Sequence, residues 1–237
     1  MSRWHIQETR EHIAQRFGPH HLAFVNASLS AMAERPRHAR FHFREATDLM
    51  KGFAGAYLTD KLMLDVVLGD GSPREEFEFT MTRIGAHVIA CVLAIHAMAD
   101  IIAFAAHAAL GYSLRTDAPP ERLVSARSVA EAFGKVPEHA GIARTLLDLV
   151  TLDEFKYVTA LANRSKHQAI VKPLMSEDWT GDRPERHQLR FSSFTHGGRW
   201  FPEVEITAAL APAYGAASRA AVDTGNEVNA IFLAGHV

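Results

Sequence analysis

The chain predicts a mainly α fold: a bundle of six or seven helices around one long central helix, about 72–110, with a β-hairpin near the carboxyl end, about 187–206. Three observations predict it. From Ile84 to Leu110 there is no Lys, Arg or Glu and only Asp100, and apolar side chains fall on every face, the pattern of a helix walled in by others. Helical periodicity, punctuated by Gly and Pro, runs on both sides of that stretch. The period changes once, where Leu189, Phe191 and Phe194, then Trp200, Phe201, Val204 and Ile206, flank His196-Gly197-Gly198.

In chain order, Ser2 to Phe17 carries Trp4, Ile6, Ile13 and Phe17 among charges, a surface helix ended by Gly18-Pro19. Residues 20–33 read as a second helix that stops before Pro36, because the residue preceding a proline avoids the helical region. A basic and aromatic run from Arg35 to Arg44 leads into helical spacing at Leu49, Phe53, Tyr57, Leu62, Leu64 and Val67, which ends at Gly69-Asp70-Gly71. The central helix opens on Ser72 as N-cap, Pro73 in the first turn and Glu75 completing a capping box; Gly111 stops it. Its length is roughly 55–60 Å at 1.5 Å per residue. Beyond a loop, 125–133 forms a short helix closed by Gly134, 140–152 another, and Asp153 caps a third through Val171, ended by Pro173. The hairpin follows, its second half an edge strand because of Pro202. Pro212 then opens an Ala-rich helix to about 233–235. These elements form one domain over 1–237: N-terminal helices (1–71), bundle core (72–171), hairpin, and C-terminal helix (212–235).

The 237 residues carry a formal charge of -2, so there is no global basic surface, and any nucleic-acid contact has to be local. The one cysteine, Cys91, excludes an intrachain disulfide, and the polar N-terminus has no apolar signal region, so a cytoplasmic location is expected. The sole membrane candidate, 84–110, is interrupted by Asp100 and three histidines; an unpaired Asp at mid-bilayer costs roughly 2.5–3.5 kcal/mol, so no membrane is expected. No P-loop, dinucleotide fingerprint, zinc-finger spacing or Gly-x-Ser-x-Gly elbow occurs, and no Glu is followed by His three residues on, which removes the di-iron bundles. No cofactor is expected. No metal is expected either: the fourteen histidines are scattered, and His38 and His42, four apart, sit in a basic run that repels cations.

Two constellations carry polar chemistry. On the helix after Asp153, Asn163 and His167 share a face, with Arg164 and Lys166 to either side; amide, guanidinium, ammonium and imidazole together suit a phosphate and a proton transfer near neutral pH. The alternative is structural, with Asn163 and His167 satisfying backbone groups at the helix end. On the central helix, His96, Asp100 and His107 lie on one stripe. There Asp100 orients a histidine or pairs across the bundle with the cations of 164–167, as a binding pocket or a hydrogen-bond network. As metal ligands the three would need a fourth group such as His87 or Cys91, and His87 lies about 180° away on that wheel.

An apolar helix, a helix reading Asn163-x-x-Lys166-His167, an aromatic hairpin and a terminal helix, in that order, resemble bacterial proteins of the HEPN-like superfamily (higher eukaryotes and prokaryotes nucleotide-binding). The similarity covers about Ser72 to Val237, with Asn163, Lys166 and His167 as its residue core. It implies a homodimer, which the Ala-rich 212–233 helix would also permit by close helix contact, and RNA or a nucleotide as partner. It further implies metal-independent endoribonuclease chemistry, with His167 as general acid/base helping a ribose 2′-hydroxyl attack the adjacent phosphate, and Arg164 or Lys166 stabilising developing charge. Members use an Arg, four to six residues, then His; here Arg164 and His167 have two between them, whereas Arg37/His42 and Arg190/His196 have four and five. Two functions stay open: an RNA- or nucleotide-binding protein with that chemistry, or a non-catalytic helical dimer binding a partner protein or small ligand, its polar motif structural.

Overall fold

Residues 4–236 are described by the computed structural model; positions 2 and 3 of the expected first helix lie outside them. Of the described residues 72% are helical, which places the chain in the mainly α class.

Helix α1 (Ile6–Tyr57) is broken at Gly18, whose φ of 85° and ψ of 168° only glycine adopts freely, into arms 6–17 and 19–57. The second arm corrects the sequence expectation, since the helix runs straight through Pro36 instead of stopping before it. Pro36 forfeits one hydrogen bond and costs about 3 kcal/mol. Against that, Leu29, Met32, Ala39, Ala46, Met50 and Phe53 form one buried stripe across the proline, and large apolar side chains contribute roughly 1.5–3 kcal/mol each when buried. The same helix ends at Tyr57 rather than near Gly69. A bend at 58–62 follows, then the short α2 (Met63–Leu68), whose Leu62 amide donates to the Asp65 carboxylate at 3.2 Å.

Helix α3 (Ser72–Ala109) is the long central element expected, and apart from Ala86 and Asp100 its 84–109 stretch is buried or half-buried. Among the described residues it alone is long and apolar enough to cross a membrane, and 56% of its most apolar window is buried inside the protein. It ends at Gly111, whose φ of 76° admits the turn and where a Cβ would stand 2.5 Å from the Phe17 ring. Ser125 caps α4 (Ala126–Phe133), accepting from the Ser128 amide; α5 (Ala140–Thr151) and α6 (Asp153–His167) follow.

Helix α6 stops at His167, four residues short of the expected end, where the Arg164 carbonyl accepts from the amides of both Gln168 and Ala169. The chain then extends into β1 (Pro173–Glu177), a strand the sequence pattern did not predict. The expected single hairpin resolves into β2 (His187–Phe191), β3 (Phe194–His196), β4 (Arg199–Phe201) and β5 (Val204–Glu205). Strands β1, β2 and β5 form an antiparallel sheet in the order β1-β2-β5, with Pro173 opposite Phe191 and Arg190 opposite Glu205. Strands β3 and β4 form the hairpin, turned by Gly197 and Gly198 at φ 57° and 75°. The last helix, α7 (Ile206–Leu233), opens six residues before Pro212, because the Glu205 carboxylate accepts the Thr207 and Ala208 amides at 2.8 and 2.6 Å and supplies the cap.

The chain divides into two units. Unit 1 takes the residues to Arg37, Ala94–Lys156 and those from Ala213; unit 2 takes His38–Leu93 and Tyr157–Pro212. Each boundary falls inside a helix: α1, α3, α6 or α7. In unit 1, Trp4 lies over Gly225, and Thr9 donates to the Asn229 amide oxygen at 2.6 Å. In unit 2, Phe53 meets Phe77 at 5.4 Å between ring centres, and Glu177 of β1, its side chain 1% exposed, accepts the Met63 amide at 2.9 Å and pairs with Arg186 at 2.7 Å.

Candidate functional site

The apolar face of α6 buries Phe155, Val158, Leu161 and Ala162, which leaves its last turn to turn outward. Asn163 and Arg164 are half-buried there; Lys166 and His167 are exposed. Cations are favoured at a helix C-terminus, where the unpaired carbonyls concentrate negative charge.

Arg164 does more than sit in that field. Its Nη1 donates to the Thr195 carbonyl of β3 at 2.6 Å and approaches the Gln168 side-chain oxygen at 3.4 Å. A second fastening is apolar: the rings of Phe194 and Phe201, stacked at 4.8 Å, each lie 5.6 Å from Tyr157 of α6. Burial pushes the Tyr157 hydroxyl pKa up, so it stays protonated.

With one hairpin face spent on Tyr157, the other faces outward. Thr195 and Trp200 are cross-strand partners there, and Trp200 is 63% exposed. Arg199 is exposed too, its guanidinium 5.1 Å over the Phe201 ring. The Arg164–Thr195 bond thus ties the end of α6, where Lys166 and His167 are exposed, to the β3–β4 hairpin, where Arg199 and Trp200 are exposed. Sequence reasoning named the α6 members and missed Arg199 and Trp200, although the alternation Phe194/Phe201 in, Trp200 out, was readable once Gly197-Gly198 was taken as the turn.

The α3 constellation belongs to unit 1, the α6 group to unit 2. Asp100 is exposed and accepts the Ala126 amide at 3.0 Å, which makes it a second cap for α4. His96 is half-buried. His107 is 5% exposed, its Nδ1 has no hydrogen-bond partner, burial lowers its pKa, and its ring centre lies 5.6 Å from that of Tyr112. The Tyr112 hydroxyl is in turn 2.9 Å from His139 Nδ1.

The other Arg/His spacings are engaged elsewhere. His42 Nδ1 meets His87 Nδ1 at 3.0 Å, and burial, then His87 and His38, lower its pKa; Arg190 is paired with Glu203 at 2.5 Å. Among the described residues no group of three or more His, Cys, Asp or Glu could hold a metal ion. Comparison with family models, with curated proteins and with solved structures found no match.

Proposed function

We propose that this chain is a cytoplasmic, HEPN-like bacterial protein that binds single-stranded RNA across the end of α6 and the β3–β4 hairpin. The observation that supports the reading is the Arg164–Thr195 hydrogen bond, which ties the end of α6, with its exposed Lys166 and His167, to the hairpin that carries the exposed Arg199 and Trp200. Cations that follow a phosphate backbone, together with an aromatic face on which a base stacks, are the usual elements of single-strand recognition. A local patch is also the only kind of basic surface a chain of net charge -2 leaves room for.

Binding, rather than cleavage, is the function read here. The guanidinium that would stabilise a reacting phosphate is held by the Thr195 carbonyl, and two residues separate it from His167 instead of four to six. As in the resembled superfamily, a homodimer would place two such patches on one particle and raise avidity.

Fluorescence anisotropy with a short unstructured RNA at low and moderate salt tests the reading. Stacking is worth about 1–3 kcal/mol per base, so Trp200→Ala should weaken binding by roughly 5- to 150-fold. Lys166→Ala should lower the salt slope by about one. Absence of salt-sensitive binding, or affinity unchanged by both variants, overturns the proposal. A DNA strand of the same sequence that binds equally removes its RNA half, and cutting of the RNA that is lost in His167→Ala removes the non-catalytic half.

A further inference from the structure

We propose that unit 1 holds a separate binding site for a small carboxylic acid with an apolar body, in the cavity beside His107. The cavity measures about 570 Å³ and is lined among others by His107, Tyr112, Arg115, Val129, Lys135 and Val136. That size lies within the roughly 300–1,000 Å³ of small-molecule sites. None of it depends on the RNA reading, since every one of these residues is in unit 1 and the α6–hairpin patch is in unit 2.

His107 is the observation that asks for a ligand. It is 5% exposed, yet its Nδ1 meets no donor or acceptor. Leaving a buried polar atom unmet costs about 1–3 kcal/mol; the Nδ1 is closed off from the cavity, so the ring turns toward the cavity as the acid binds and recovers that cost in the hydrogen bond it then makes. Burial lowers the pKa of this imidazole, so at neutral pH it is uncharged and makes one hydrogen bond, not an ion pair.

The charge comes from the other side chains. Arg115 lies 5.3 Å over the Tyr112 ring and is held by Asp117 at 3.0 and 3.4 Å, and Lys135 is exposed. Asp117 also lines the cavity, so two cations against one carboxylate leave a single positive charge, the complement of a monoanion. Val129, Val136 and the neighbouring Ala132 leave hydrocarbon as the matching remainder of the ligand: a short acyl chain or an aromatic ring.

Calorimetric titration of the full chain with octanoate and benzoate, and with octanol as the uncharged control, tests the site. Saturable binding of at least one acid is expected, about tenfold or more tighter than octanol. Lys135→Ala, an exposed position, should weaken it about three- to tenfold, and Ala132→Phe, which fills the cavity, should abolish it while a thermal melt confirms folding. If Ala132→Phe fails to fold, Lys135→Ala together with the octanol comparison remains decisive. No binding of either acid, octanol binding as tightly as octanoate, or affinity untouched by these substitutions overturns the proposal.

Discussion

At the scale of single residues, two glycines and three histidines make the sharpest predictions. A Cβ at position 225 would run into the Trp4 indole, whose N–H donates to Thr9 at 2.8 Å and so cannot easily swing away. Gly225→Ala should therefore cost about 1–3 kcal/mol and lower Tm by several degrees in a thermal melt. Gly111→Ala should cost at least as much, because it adds a positive-φ strain to the Phe17 clash. His42, His107 and His139 all have their pKa lowered from 6.5, burial being the first cause in each. Above that pH both folded and unfolded chains hold these rings neutral, and their contribution is fully present. Below it the unfolded chain takes up protons that the folded one refuses, so stability falls as pH drops, by at most about 1.4 kcal/mol per pH unit per ring. Urea denaturation at pH 7 and pH 5 should show the decline, and His107→Phe should lessen it by one ring's share.

At the scale of elements, what could be read from the sequence divides by the kind of force involved. Helix α3 was legible because a charge-poor run of that length has few other folded solutions, and the β3–β4 turn because Gly197-Gly198 supplies two positive φ values. The path of α1 through Pro36 was not, since a local rule was outweighed by a buried stripe whose partners lie elsewhere in the chain. By the same reasoning Pro36→Ala should restore an amide donor for the Met32 carbonyl and stabilise the protein by about 1–3 kcal/mol, read as a higher urea midpoint. Strand β1 was missed because its pairing rests on β2, ten residues downstream of its end. The candidate site was half legible: Lys166 and His167 announce themselves, but the Arg164–Thr195 bond ends on a backbone carbonyl, which carries no residue-type signal. Glu177 is a similar case. Burial alone would raise its carboxyl pKa, but the Trp179 indole, the Met63 amide and Arg186 outweigh that and hold it below its ordinary 4.5. Its share of stability is present above that pH and lost as pH falls further; Glu177→Gln should remove this acid-range component and loosen the start of α2 in hydrogen exchange.

At the scale of the whole molecule, each of the four helices α1, α3, α6 and α7 gives residues to both units. Neither unit can lose its helices without taking turns from the other, so calorimetry should record one cooperative transition in place of two. The molecule also carries its own reporter for that event. Cys91 stands in the middle of α3, 2% exposed, with its thiol pKa pushed up to about 12 by burial. A chromogenic disulfide reagent will react with it no faster than the central helix lets water in, so the slow appearance of colour in native buffer measures how often this protein breathes open, with no label added.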